Sequence, residues 1–115
     1  MELGISSWMD GPFTVVQVQG QVSNSTAHAL KTRLFDLIGY RRRRFILDLS
    51  AVDFADLTGF AALLLVALHL RDLSGTLRLV ATNGPARDFI QRTGFSRFYP
   101  PFASVAAAKE AGVYQ

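Results

Sequence analysis

The segment from residue 45 to residue 68 constrains the fold more than any other part of the chain. It opens with a nearly continuous apolar stretch, passes through Asp56-Leu57-Thr58-Gly59, and then becomes almost wholly apolar again. A short apolar stretch of the first kind is typical of a strand covered on both faces of a sheet. The polar residues after it predict a turn, in which Asp56 is suited to cap the next helix. The pattern predicts a buried central strand that leads directly into a buried helix.

The rest of the chain alternates predicted strands with predicted helices. Asp10-Gly11-Pro12 is a turn signal and predicts an antiparallel hairpin between the first two strands. A polar cluster at 23–26 is expected to supply the N-cap of the first helix, and Gly39 is expected to end that helix. The strands are predicted at 5–9, 13–20, 45–49 and 76–81, with a short extra strand before the last helix. The later helices are predicted at 57–72, 85–94 and 104–111.

This order of elements indicates an α/β fold. Strands that alternate with helices favour an open mixed sheet of four or five strands with helices packed mainly on one face. Phe45, Leu47, Leu49 and the helix at 60–68 are expected to form the core. A chain of 115 residues is expected to form a single domain, residues 1–115.

Several kinds of functional site are not expected from the composition. The chain has no cysteine, and its two histidines, His28 and His69, lack a ligand-like spacing. Asp53 and Asp56 lie three residues apart, but no nucleophile or histidine accompanies them, so acid–base catalysis is not expected. We therefore expect a non-enzymatic protein without a metal or cofactor.

The charge distribution and the apolar runs bear on partners and location. The formal net charge is +3, and four arginines lie together at 41–44. Because no aromatic residue interleaves them, they are expected to complement a helix C-terminus rather than bind nucleic acid. No leader pattern is seen, and the longest apolar run is far shorter than the roughly 18–20 residues of a membrane span. These features predict a cytoplasmic protein without membrane insertion.

Three motifs occur in order along the chain. The strand, turn and helix around Asp56-Leu57-Thr58-Gly59 form the first, and the polar entry into a helix at 18–27 forms the second. The third is Thr93-Gly94-Phe95, which precedes the last helix. Together they resemble the STAS domain family, typified by bacterial anti-sigma-factor antagonists, and the resemblance covers nearly the whole chain. It implies the STAS-like open mixed sheet.

The resemblance also implies a function. Antagonists of this family bind an anti-sigma factor that is also a serine/threonine kinase, and phosphorylation of a hydroxyl in the turn abolishes binding. Asp56 matches the aspartate of the family motif, Thr58 its second hydroxyl and Gly59 its glycine. Leu57 stands where many relatives carry the phosphorylated serine, so Thr58 is the candidate phospho-acceptor. Ser23 likewise replaces an aspartate that is common before the first helix.

The expected partner-binding surface combines the turn, the exposed edge of the second helix and the loop before the first helix; its residues are Asp56, Leu57, Thr58, Gly59, Ser23 and Asn24. Each has a purely structural alternative, with Asp56 as a plain N-cap and Thr58 as an unmodified first-turn residue. Two rival functions remain open, an accessory STAS subunit of a phospholipid transport system and a signalling scaffold. The sequence also leaves homodimer formation open.

Overall fold

The computed structural model describes residues 3–111, and a four-stranded mixed sheet lies at its centre. β1 pairs antiparallel with β2, whereas β2, β3 and β4 run parallel to one another. The predicted hairpin and the predicted mixed sheet are therefore confirmed. The strands lie side by side in chain order: β1 (Leu3–Asp10), β2 (Phe13–Val22), β3 (Arg44–Ala55) and β4 (Thr76–Val80).

The helices cover both faces of this sheet unequally. Three of them pack over one face and bury the larger apolar cluster, while the last and shortest covers part of the other face. The prediction of helices mainly on one face is confirmed. The helices are α1 (Ala27–Gly39), α2 (Leu57–Asp72), α3 (Pro85–Thr93) and α4 (Val105–Glu110), with a 3₁₀ turn at Phe95–Arg97.

The central strand β3 shows why its first residues must be almost all apolar. Phe45, Leu47 and Leu49 pack beneath α1, α2 and α3, whereas Ile46 faces the smaller cluster under α4. All four side chains are completely buried. Successive residues of a strand point to opposite faces, so a strand covered on both sides must be apolar at adjacent positions.

Several element boundaries differ from those predicted. β3 continues to Ala55 because β2 also extends, as far as Val22, and supplies it with a pairing partner. The short extra strand before the last helix is reduced to one bridge between Val80 and Phe102. The polar cluster at 23–26 supplies the N-cap residue of α1, Thr26, as predicted, but the Thr26 hydroxyl donates to Gln21 O at 2.7 Å and makes no capping hydrogen bond.

The end of α1 was also predicted only in part. Gly39 is the last helical residue, and Arg41 adopts the left-handed conformation at φ 68° instead. Arg43 Nη1 donates to Ile38 O at 2.9 Å and satisfies a carbonyl at the helix C-terminus. A cation at this end also complements the helix dipole. Arg43 therefore has the role predicted for the arginines at 41–44, which is to complement the C-terminus of a helix.

Candidate functional site

The turn formed by residues 56–59 lies where two parallel strands end together. β3 ends at Ala55, immediately before the turn, and β2 ends at Val22, immediately before the loop at 23–26. The backbone N–H of Asp56 donates to Val22 O at 3.0 Å and fixes the turn against that loop. We call the turn and the loop together the turn site (residues 23–26 and 56–59).

Asp56 connects the two halves of the turn site. Its Oδ1 accepts a hydrogen bond from Gly59 N at 2.9 Å, which is the N-cap predicted from the sequence. Its Oδ2 accepts from Asn24 N at 3.2 Å across the gap between the loop and the turn. One carboxylate therefore caps α2 and also holds the loop in place.

Replacing Asp56 with alanine is expected to lower the free energy of unfolding by about 1–2 kcal/mol, because a helix cap of this kind contributes about 1 kcal/mol and the bond to Asn24 is lost too. Asp56→Asn should lose about half as much, because the asparagine oxygen can still cap Gly59 N but its amide nitrogen cannot accept the hydrogen bond from Asn24 N. Asp53→Ala, at an exposed position on β3, is the matched control and should change little. Urea unfolding of the variants measures the difference, and equal losses for Asp56→Ala and Asp53→Ala would contradict the assigned role.

Gly59 brings α2 into direct contact with the end of β2. A Cβ atom at this position would lie 2.2 Å from both the carbonyl carbon and oxygen of Val22, and 2.4 Å from Ser23 N. These are backbone atoms of a paired strand, so they cannot move aside as a flexible side chain would. No residue bulkier than glycine therefore fits at this junction.

The loop at 23–26 divides into a buried part and an exposed part. Ser23 and Thr26 are almost fully buried, and Ser23 N donates to the Thr26 hydroxyl at 3.0 Å. Asn24 and Ser25 are exposed. Of the two loop residues expected to bind a partner, only Asn24 therefore presents its side chain to solvent, and the contribution of Ser23 is to shape the loop.

Leu57 and Thr58 form the exposed head of α2. Leu57 is 65 % exposed, and Thr58 is also exposed. The two residues after Thr58 donate their backbone N–H groups to Asp56. Gly59 donates to the Asp56 carboxylate, and Phe60 donates to the Asp56 backbone carbonyl. Within residues 3–111, no acceptor pairs with the N–H groups of Leu57 and Thr58, as is usual in the first turn of a helix. The side chains of Leu57 and Thr58 are therefore accessible to a partner because they are exposed, and their backbone N–H groups are free to donate to it.

The outward side of α2 is apolar, which the sequence analysis did not predict. The whole of 60–68 was expected in the core, but Leu64 and Leu65 are 36 % and 52 % exposed. No polar residue lies between 59 and 68, a pattern that indicates full burial, so the sequence offered no signal for the exposure of these two leucines. We call the outward residues the α2 apolar face (Leu57, Ala61, Leu64, Leu65 and Leu68); their spacing of three and four places them on one side of the helix.

Residues 3–111 offer no group of side chains suited to bind a metal ion. This part of the chain holds no cluster of three or more histidine, cysteine, aspartate or glutamate side chains. His69 is exposed, and its ring meets that of Phe35 edge-on with the centroids 5.2 Å apart. Among the helices described, none has the length and apolarity to cross a bilayer.

Comparison with known proteins identifies similar sequences and folds. The STAS domain family model matches residues 9–108. The chain is 32% identical over 94 residues to BtrV of Bordetella bronchiseptica, named as an anti-sigma factor antagonist, covering 82% of this chain and 81% of that protein.

Solved structures of anti-sigma factor antagonists share this fold. One from Mycobacterium paratuberculosis superposes with a TM-score of 0.85 at 23% identity, covering 94% of this chain and 92% of that one. SpoIIAA of Bacillus in its unphosphorylated form superposes with a TM-score of 0.74 at 15% identity, covering 92% and 94%. At these identities the superpositions demonstrate a shared fold.

Proposed function

The chain belongs to the STAS domain family, and from this we propose that it is an anti-sigma factor antagonist, a non-enzymatic protein that binds an anti-sigma factor in the cytoplasm. We further propose that residues 1–115 form one such domain. The observation that carries the function is the α2 apolar face, which begins at the turn site and is exposed to solvent. BtrV, the similar protein of Bordetella bronchiseptica, is named for the same activity.

The α2 apolar face has the properties of a docking surface. Contiguous apolar surface is uncommon on soluble proteins and marks interaction sites. Burial of a half-exposed leucine is worth roughly 1 kcal/mol, at about 25 cal/mol for each square ångström removed from water. Leu57, Leu64 and Leu65 together would contribute a few kcal/mol to binding. The polar groups of the turn site at the head of the helix would add specificity.

We propose that the partner is also a serine/threonine kinase and that it phosphorylates Thr58. Three features support this assignment. Thr58 is exposed, Leu57 beside it has no hydroxyl, and the nearby unpaired N–H groups would stabilise added negative charge. Solved structures of SpoIIAA are described as unphosphorylated and phosphorylated forms, which supports a switch in that protein.

The deciding experiment is a pull-down of the tagged chain from its native host, with mass spectrometry of the captured proteins and of residues 56–59. Recovery of an anti-sigma factor, with phosphate on Thr58 in part of the chain, is the expected result. Recovery of a transporter ATPase and permease instead would replace the proposal with the accessory transport subunit. An anti-sigma factor without phosphate on Thr58 would support an antagonist that is not switched at this site.

Leu65→Ala is expected to weaken binding of the anti-sigma factor about fivefold to tenfold, because most of the leucine side chain is lost from the interface. Leu73→Ala is the matched control. Leu73 is a comparably exposed leucine at the C-cap of the same helix, outside the α2 apolar face. Isothermal titration calorimetry compares the two, and equal affinities would show that the partner binds elsewhere.

A further inference from the structure

The outer edge of β1 has the properties of a pairing surface. β1 lies at one end of the sheet, and β2 is its neighbour in the sheet. Its pairing with β2 is continuous from Leu3 to Asp10, without a bulge. Alternate residues of such an edge strand direct their backbone N–H and C=O groups away from the sheet, where they can pair with another strand.

Natural proteins guard exposed edges with charged residues, proline or bulges. The segment from Leu3 to Met9 has no charged residue and no proline. An eight-residue strand spans about 26 Å, which is long for an unguarded edge. At the hairpin end, Trp8 and Met9 are 45 % and 50 % exposed. Among residues 3–111 nothing pairs with this edge, so it combines unpaired backbone groups with exposed apolar side chains.

We propose that β1 pairs with β1 of a second copy of this chain, so that two four-stranded sheets join into one continuous sheet. The pairing is antiparallel about a two-fold axis near the middle of the strand. A closed, two-fold interface of this kind is the commonest arrangement of protein dimers. The surface involved is distinct from the turn site and from the α2 apolar face.

The side-chain sizes along β1 favour a second copy as the partner. On one face of the strand, Gly4 and Ser6 precede the large Trp8. Opposed residues of an antiparallel pair lie on the same face, so a two-fold axis at Ser6 or Ser7 places Trp8 opposite Gly4 or Ser6 of the second copy. Each bulky end therefore covers the small end of the other copy.

The flanking helix provides opposite charges suited to the same symmetry. α1 borders a groove along β1 in which Arg33 and Asp36 lie beside Leu3 and Ile5. A two-fold axis through the sheet places the α1 helices of the two copies side by side in opposite directions. Arg33 of one copy then faces Asp36 of the other across the axis. The attraction between these opposite charges steers two identical surfaces together.

The dimer leaves the proposed function intact. α2 packs against β4, which forms the other end of the sheet from β1. Both copies would therefore present a free turn site and a free α2 apolar face. A partner that is itself dimeric would bind two sites at once, which raises its apparent affinity without any new contact.

Sedimentation equilibrium of the chain from about 1 μM to about 1 mM tests the proposal, with a reversible monomer–dimer equilibrium expected in that range. Ser6→Lys should raise the dimer dissociation constant at least tenfold, because an edge lysine meets its symmetry mate near the axis. Ser50→Lys, at an exposed serine of the interior strand β3, is the matched control and should leave the constant unchanged. A wild-type chain that stays monomeric at 1 mM, or a dimer unaffected by Ser6→Lys, would overturn the proposal.

Amide hydrogen exchange of the wild-type chain tests the location independently of any variant. Alternate amides of β1 should gain protection as the concentration rises, while amides of β4 at the opposite edge should not change. Concentration-dependent protection of α2 without protection of β1 would assign the dimer to the α2 apolar face and refute the β1 pairing.

Discussion

Gly59→Ala is expected to lower the free energy of unfolding by about 3 kcal/mol, at the upper end of the usual cost of forcing extra atoms into a packed site. The added Cβ would lie 2.2 Å from backbone atoms of Val22, so either α2 or the end of β2 must shift. A shift of α2 would also strain the hydrogen bonds of Asp56 to Gly59 N and Asn24 N. For a chain of this size the melting temperature should fall by more than about 10 °C.

The matched control is Gly39→Ala, at the last residue of α1. No atom lies within 4 Å of the Cβ position there, and the backbone is helical. Alanine should therefore be neutral or stabilise the protein by up to about 1 kcal/mol, since it is the better helix former. Thermal unfolding of both variants isolates the steric effect. A Gly59→Ala variant as stable as Gly39→Ala would mean that α2 does not pack on β2 as closely as described.

The hydrophobic pattern predicted most of the fold because each element has a strong local signal. The stretch at 45–49 is apolar at adjacent positions, and that requirement follows from coverage on both faces. The helix predicted at 85–94 likewise ends at Gly94, which is the C-cap of α3 and adopts φ 84°. The missed extension of β3 to Ala55 has a non-local cause. Its polar residues are held in a strand by pairing with β2, which sequence periodicity does not reveal.

The candidate site was predictable in its turn but not in its surroundings. Asp56 fulfils a local capping need, so its residue type indicated its structural role, whereas the steric need at Gly59 arises from the distant residue Val22. The outward exposure of Leu64 and Leu65 depends on which side of α2 faces the sheet. An apolar helix that is partly exposed and one that is fully buried have the same composition. The burial of Ser23 likewise depends on the contact between the loop and α2.

Thr58→Glu is expected to weaken binding of the anti-sigma factor at least tenfold, or about 1.4 kcal/mol, with almost no change in melting temperature. Stability should be preserved because the first turn of a helix favours negative charge by about 0.3–1 kcal/mol, which Asp56 nearby opposes. At an interface formed for a neutral turn, the added carboxylate and Asp56 would instead place two negative charges against the partner. The added carboxylate would also lose its hydrating water. Such terms cost several kcal/mol, so binding should respond far more than folding.

Two further variants separate the effect of charge from the loss of the hydroxyl. Thr58→Ala should bind the partner as tightly as the wild type and should no longer be phosphorylated. Thr32→Glu, at an exposed threonine of α1 outside the turn site, adds the same charge elsewhere and should leave affinity unchanged. Calorimetric titration gives the affinities, and phosphate analysis of the chain isolated from cells gives the modification. If Thr58→Glu binds as tightly as the wild type and Thr58 carries no phosphate in cells, the turn is structural. The α2 apolar face would then belong to a constitutive binder, and the transport-linked and scaffold functions would take precedence.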